Sequence, residues 1–308
     1  MKKWLSFFLN KYPVTAYVVL ACGFTWLCWI SALIVSYNIG YVLPVQEVYT
    51  ELIQTGFTDT FHIFISLIFI LGGFGPLIAA IIVVGFESGR SGLAELRGQT
   101  FKFRIGLNWY LKAGLIAVLI PGVIFLLTVL TPFANFSVTG FSVLAPFILL
   151  ILLWEIVISF GEEPGWRGFL LPRLQKRFGG EKYIWVLGLI WAFWHYPFVV
   201  YHTIISMENI SVPGMLIGIV MTLAGFTMTL IGQTYIYAWF YNNTKSVFLA
   251  ALYHGVLNFT SLIVVSFMET FTPSITWILA LMPWAVVIVL QKRMGKDQFP
   301  GHTNTNAS

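Results

Sequence analysis

Charge is what this sequence has least of. Only 9% of its 308 residues are Asp, Glu, Lys or Arg, while 58% are hydrophobic; a soluble globular domain carries about 25% charged residues. With a mean hydropathy of +0.85, a soluble globule is excluded. Cysteine is also scarce. Cys22 and Cys28 both fall in the first apolar run, which argues against a disulfide or a cysteine-ligated metal and leaves packing as their role. The aspartates, Asp59 and Asp297, lie outside every apolar run, so an intramembrane aspartyl dyad is excluded. No His-Glu-x-x-His occurs. "GFS" (140–142) sits at a loop end, away from the histidines of the apolar runs, and is a weak basis for a Ser–His dyad.

Long apolar runs are abundant. A membrane-spanning helix needs about 20 apolar residues, at 1.5 Å per residue across a core of about 30 Å. Eight such runs occur, at 14–36, 61–86, 110–131, 143–161, 183–201, 213–240, 246–267 and 273–290. They predict an all-α, polytopic membrane protein with about eight transmembrane helices, folded as a single membrane domain over 1–308. The second run carries "GGFGP" (72–76), which predicts a kink. "VVLACG" (18–23) resembles a lipoprotein cleavage site, but the apolar run continues to residue 36 and predicts an uncleaved span.

The 17 cations set the orientation. They fall before the first run, between the second and third, fourth and fifth, and sixth and seventh, and after the eighth. The opposite loops hold Glu47, Glu51, Asp59, Glu208 and Glu269 and no Lys or Arg. By the positive-inside rule both termini are cytosolic. The net charge of +5 is thus an orientation signal, and no nucleic-acid partner is implied. Residues 87–109 mix basic and apolar side chains and predict an amphipathic element along the cytosolic surface. The polar tail, 295–308, predicts disorder.

The ionisable residues within or at the edge of the runs are His62, Glu155, Glu162, Glu163, Arg167, His195, His202 and His254. Such groups are functional candidates because burying them is costly. Glu163 and Arg167, four apart, predict an ion pair on one helical face. Glu162 has no such partner nearby. It lies 11 residues from Arg173; His195 lies 13 from Lys182 and His254 nine from Lys245. These separations place the three at similar depth, roughly 14–19 Å from the basic interface. Asn258 lies one turn beyond His254, on its face. A shared polar pocket follows, and with it hydrolytic chemistry: a glutamate to move the proton of water and imidazoles to hold the water or an oxyanion. The same residue types, Glu162, His195 and His254, also suit Zn²⁺. His62 and His202 sit at the outer ends of their runs and predict structural roles. Glu155, seven residues before Glu162 on the same face, either bonds within the bundle or feeds the pocket.

"EEPGWRGFLLPRL" (162–174) resembles the first signature of the CPBP family, the CAAX-protease and bacteriocin-processing group of intramembrane endopeptidases. Glu162, Glu163 and Arg167 match its E-E-x-x-x-R, and "HGVLN" matches its H-x-x-x-N with His254 and Asn258. "WAFWH" supplies His195 of the F-x-x-x-H signature, with Trp191 in place of Phe. The resemblance implies an eight-helix core with its catalytic part over 143–267, and a cavity open toward the cytosol or the membrane plane. Glu162 would be the water-activating residue, completed by His195, His254 and Asn258 and shaped by Glu163 and Arg167. It leaves open whether a metal, Zn²⁺ above all, is bound. It implies a hydrolase in the lipid bilayer, a multi-pass protein of a bacterial plasma membrane, acting on a membrane-associated peptide or protein. The alternative is a non-proteolytic scaffold of the same fold, serving bacteriocin immunity or regulation.

Overall fold

A computed structural model of the chain describes residues 9, 11–45, 48–130, 137–207, 210–267 and 273–294. Among these residues there is no strand. The helices are α1 (Pro13–Ile39), α2 (Tyr49–Thr55), α3 (Thr60–Gly72), α4 (Gly75–Thr100), α5 (Leu107–Leu130), α6 (Thr139–Leu144) and α7 (Ile148–Glu163). A π-helical turn (Pro164–Leu170) follows, then α8 (Leu171–Phe178), α9 (Lys182–Ser206), α10 (Val212–Thr244), α11 (Val247–Val265) and α12 (Pro273–Met294). The expected tail, 295–308, and Glu47, Glu208 and Glu269 lie outside the described residues.

Seven stretches, rather than eight, are long and apolar enough to cross a membrane among the described residues. The eighth expected run lies in α12, whose described apolar part, Ala280–Lys292, is shorter. Side chains such as Leu27 (73% exposed) and Leu149 (72%) face outward, as a lipid-solvated surface allows. α1 runs unbroken through Cys22, and both cysteines are free.

The kink expected at "GGFGP" is a full break between α3 and α4. Pro76 cannot donate to Gly72 O, and the Thr25 hydroxyl of α1 donates to that carbonyl instead, at 2.7 Å. Trp29 Nε1 donates to Phe69 O at 3.0 Å. The same device recurs in α5: Pro121 frees Ala117 O, which accepts from Thr260 of α11 at 2.8 Å. In a bilayer, with no water to solvate such carbonyls, these cross-helix donors permit the breaks. The element expected over 87–109 continues α4 as helix to Thr100, with a bend at Gly89, whose φ of +57° suits glycine.

The basic loops meet at one end. Lys102 Nζ donates to Thr244 O at 2.8 Å, Ser246 Oγ donates to Lys102 O at 2.6 Å, and Arg173 pairs with Glu87. At the other end Asp59 caps α3 by accepting from His62 N at 2.8 Å and takes the Tyr41 hydroxyl at 2.8 Å. The bonds to Asp59, from His62 N first and Tyr41 next, hold its carboxyl below the usual range. The cap therefore contributes above the ordinary carboxylate pKa and is lost as pH falls through the lowered value.

Two glycines bring the motif-bearing segments together. α7 packs on α11, and the π turn packs on α4. A Cβ on Gly255 would lie 2.6 Å from Ile156 Cα, and one on Gly165 would lie 2.5 Å from Pro76 O. Both contacts are with backbone, so neither can be relieved by a side-chain rotation. Gly255→Ala is expected to push α11 off α7 and destabilise the protein by about 1–3 kcal/mol, read as a lower melting temperature in detergent. An unchanged melting temperature would show that the two helices can separate freely.

Candidate active site

The sequence "GEEPGWRGFL" builds the site through a widened turn. Pro164 lacks the N–H that would bond Phe160 O in a regular helix, and the chain runs as π-helix to Leu170. All seven residues of this turn are buried. The two glutamates just before it, adjacent on α7, point about 100° apart and so meet different neighbours.

Glu163 faces inward and is fully buried. Its Oε1 accepts from Arg167 Nη1 at 2.9 Å and from His254 Nδ1 at 2.8 Å. Arg167, also fully buried, lies between two rings, 4.1 Å from the Trp191 centroid and 3.7 Å from that of Tyr237. The ion pair expected from the four-residue spacing is therefore present, and an aromatic sandwich surrounds its cation.

Glu162 faces a cavity of about 510 Å³, shared with His195, His254 and Asn258. The expected partners from α7, α9 and α11 are thus brought to one space. The bonds that Glu162 receives both fall on Oε2: from Trp166 Nε1 at 3.1 Å and from Trp191 Nε1 at 2.9 Å. Oε1 is left for the cavity. His195 Nδ1 is 2.9 Å from Trp191 O. A carbonyl only accepts, so this nitrogen carries the proton and a neutral ring offers the Nε2 lone pair. His254 Nδ1 donates likewise to Glu163, leaving its Nε2 for the cavity.

The remaining candidates divide as follows. Glu155 both bonds within the bundle, accepting from Tyr49 at 3.1 Å, and lines the same cavity. His62 is structural and buried: Thr58 N donates to Nδ1 at 3.2 Å, and Nε2 donates to Val42 O at 2.8 Å. His202 packs against the rings of Phe198 and Tyr201. "GFS" (140–142) lies in α6, and Ser142 Oγ donates to Thr139 O at 2.7 Å.

The rest of the cavity wall is mostly apolar, with Trp29, Phe69, Ile120, Ile124, Phe198 and Leu257. It extends to Pro44, Val45 and Tyr49, at the end away from the basic loops, and along its flank to the partly exposed Thr222 and Phe226 of α10. Among the described residues, no group of three or more His, Cys, Asp or Glu could hold a metal ion. Glu162, His195 and His254 share a cavity without forming a ligand cage, and two indoles hold one oxygen of the carboxylate.

Three features were missed in the sequence. Trp166 stands four residues after Glu162, the same spacing that gives Glu163 its arginine, so the signal was present. At Trp191 the exchange of Phe for Trp adds a donor as well as conserving a ring. Tyr237 gave no signal within the apolar run of α10.

Residues 144–260 match the family model described as "Type II CAAX prenyl endopeptidase Rce1-like". A protein of Methanococcus maripaludis named "CAAX prenyl protease 2" is 26% identical over 210 residues, covering 66% of this chain and 74% of the relative. The matched segment contains all three motifs, and with them Glu162, His195, His254 and Asn258. The family model and the relative both support a CPBP-type intramembrane protease, the CAAX-protease and bacteriocin-processing group.

Proposed function

We propose that the chain is an intramembrane endopeptidase that hydrolyses peptide bonds of membrane-associated substrates, with residues 143–267 as its catalytic core. One observation carries this reading: Glu162 presents a free carboxylate oxygen to an apolar cavity that it shares with His195, His254 and Asn258. Glu163, committed to Arg167 and His254, supports the site and does not act as the base.

The reaction needs four moves. Glu162 Oε1 takes a proton from a water that the His195 Nε2 lone pair helps to orient. The water oxygen attacks the scissile carbonyl carbon, and the Asn258 amide N–H donates to the oxyanion that forms, assisted from Nε2 by His254 as an imidazolium held on the Glu163 carboxylate. The tetrahedral intermediate collapses with cleavage of the C–N bond. Glu162 returns its proton to the leaving amine. The products are a carboxylate and an amine, and no redox partner is required.

The test is cleavage of an internally quenched farnesylated CAAX peptide by the purified protein in liposomes. His195→Ala and His254→Ala are each expected to lose roughly 100-fold or more in kcat, and the wild type is expected to ignore a strong chelator. Loss of activity to the chelator with recovery in Zn²⁺ would contradict the metal-free reaction. Wild-type turnover by both histidine variants would remove them from it. Cleavage of nothing, with an immunity phenotype that survives Glu162→Gln, would favour the scaffold.

In this reading the basic loops lie in the cytosol of a bacterial cell, under its plasma membrane. Cysteines placed at Thr50 and Ser137, with Cys22 and Cys28 replaced, are expected to react with an impermeant maleimide from outside. Cysteines at Arg97 and Lys176 are expected to be protected. The reverse pattern would invert the orientation.

A further inference from the structure

Trp191 occupies the position where the F-x-x-x-H signature has Phe, and its indole touches most of the site. Nε1 donates to Glu162 Oε2 at 2.9 Å. Its carbonyl takes His195 Nδ1–H at 2.9 Å. Its ring lies 4.1 Å under the Arg167 guanidinium, and edge-on to His254 at 5.8 Å between centroids. We propose that Trp191 is a positioning residue for the hydrolysis proposed above, an inference that rests on that reading: its N–H pins Oε2 of Glu162 so that Oε1 meets the water.

The physical argument starts from the carboxylate. The terminal torsion of glutamate is broad and two-fold, so its two oxygens exchange readily. A base must hold one of them within about 0.5 Å of a productive position. Two indole N–H groups converging on a single oxygen remove the equivalence, because rotation would break two charge-assisted hydrogen bonds. The donors are themselves immobile. Trp166 is fully buried and Trp191 is 3% exposed. Trp191 cannot swing away without uncovering the Arg167 cation from one side. Phenylalanine at 191 would retain the ring face under Arg167 and leave Glu162 with Trp166 alone.

Two replacements separate the N–H from the ring. Trp191→Phe removes the donor and part of the ring. Incorporating 3-(benzothiophen-3-yl)alanine at 191 removes the donor and keeps the bicycle. In the full chain in liposomes, with the quenched farnesylated peptide as probe, both are expected to lower kcat about 10- to 100-fold. KM should stay within about twofold in the benzothiophene variant, which keeps the shape of the cavity wall that Trp191 helps to line. A merely structural role would spare the benzothiophene variant.

A second measurement needs no substrate. In indole-¹⁵N-labelled protein, two of the 12 tryptophan Nε1–H resonances are expected to move on Glu162→Gln. In Trp191→Phe one of that pair is expected to vanish. Wild-type kcat in both 191 variants while Glu162→Gln is inactive would overturn the positioning role and leave the hydrolytic reading standing. Wild-type activity of Glu162→Gln would sink that reading itself. Indole resonances indifferent to Glu162→Gln would overturn the hydrogen bond, and with it the inference, whether or not the probe is cleaved.

Discussion

Glu162→Gln is expected to reduce kcat by ~1,000-fold or more while leaving the fold intact. The substitution is nearly isosteric. The glutamine carbonyl oxygen can still accept from Trp166 and Trp191, so the two indoles keep their partner. The amide nitrogen then takes the place of Oε1 on the cavity and cannot accept a proton from water. Binding should survive, because the apolar wall that would hold a lipid-like or apolar segment is unchanged. Adding His195→Ala to Glu162→Gln should lower the rate little further, since residues acting as one unit are strongly non-additive. The variant that separates the two glutamates is Glu163→Gln. It should lose folded protein along with activity, because Arg167 would keep its charge without a counter-ion.

Arg167→Ala is expected to be the most destabilising single change at the site. Arg167 and Glu163 are both fully buried, and their pairing is 2.9 Å long. Removing one partner of such a pair costs about 3–5 kcal/mol, because a buried charge is left behind. The substitution also removes the filling of the slot between Trp191 and Tyr237. The expected result is a large loss of monodisperse protein on gel filtration and a melting temperature lowered by many degrees. Arg167→Lys keeps the charge but not the planar group that stacks between two rings, and it should fall between wild type and alanine. Normal yield and melting temperature in Arg167→Ala would show that His254 alone balances Glu163.

The membrane class and the common cavity of Glu162, His195 and His254 were legible in the sequence because both follow from lengths counted along helices. Apolar runs of this length have few other destinations, and depth can be counted along a helix from the nearest basic residue. Those separations put Glu162, His195 and His254 at one depth, and one cavity holds them. Length alone did less well at the broken helices. The run 61–86 reads as one kinked span, but Thr25 and Trp29 of α1 accept the role of lost backbone donors and allow a complete break. Such rescue is a tertiary fact with no local signature.

The same limit applies to hydrogen bonding around the carboxylates. The Glu163–Arg167 pair follows from local spacing. The Trp191 bond to Glu162 spans 29 residues and depends on how α9 meets the π turn. An indole in an apolar run reads as packing until its N–H is seen to have a partner. The metal question shows the converse: residue types alone suit Zn²⁺, while their arrangement among the described residues offers no ligand cage.

The central claim is that Glu162 activates water and does not itself attack the peptide carbonyl. It is tested most directly by a single turnover in H₂¹⁸O with enzyme in excess over the quenched farnesylated peptide, followed by mass spectrometry of product and protein. Attack by activated water predicts one ¹⁸O in the new carboxylate of the product and an unlabelled Glu162. An acyl-enzyme on Glu162 that water opens at the Glu162 carbonyl would instead leave the product carboxylate unlabelled and place ¹⁸O in the Glu162 side chain, and that result would contradict the account.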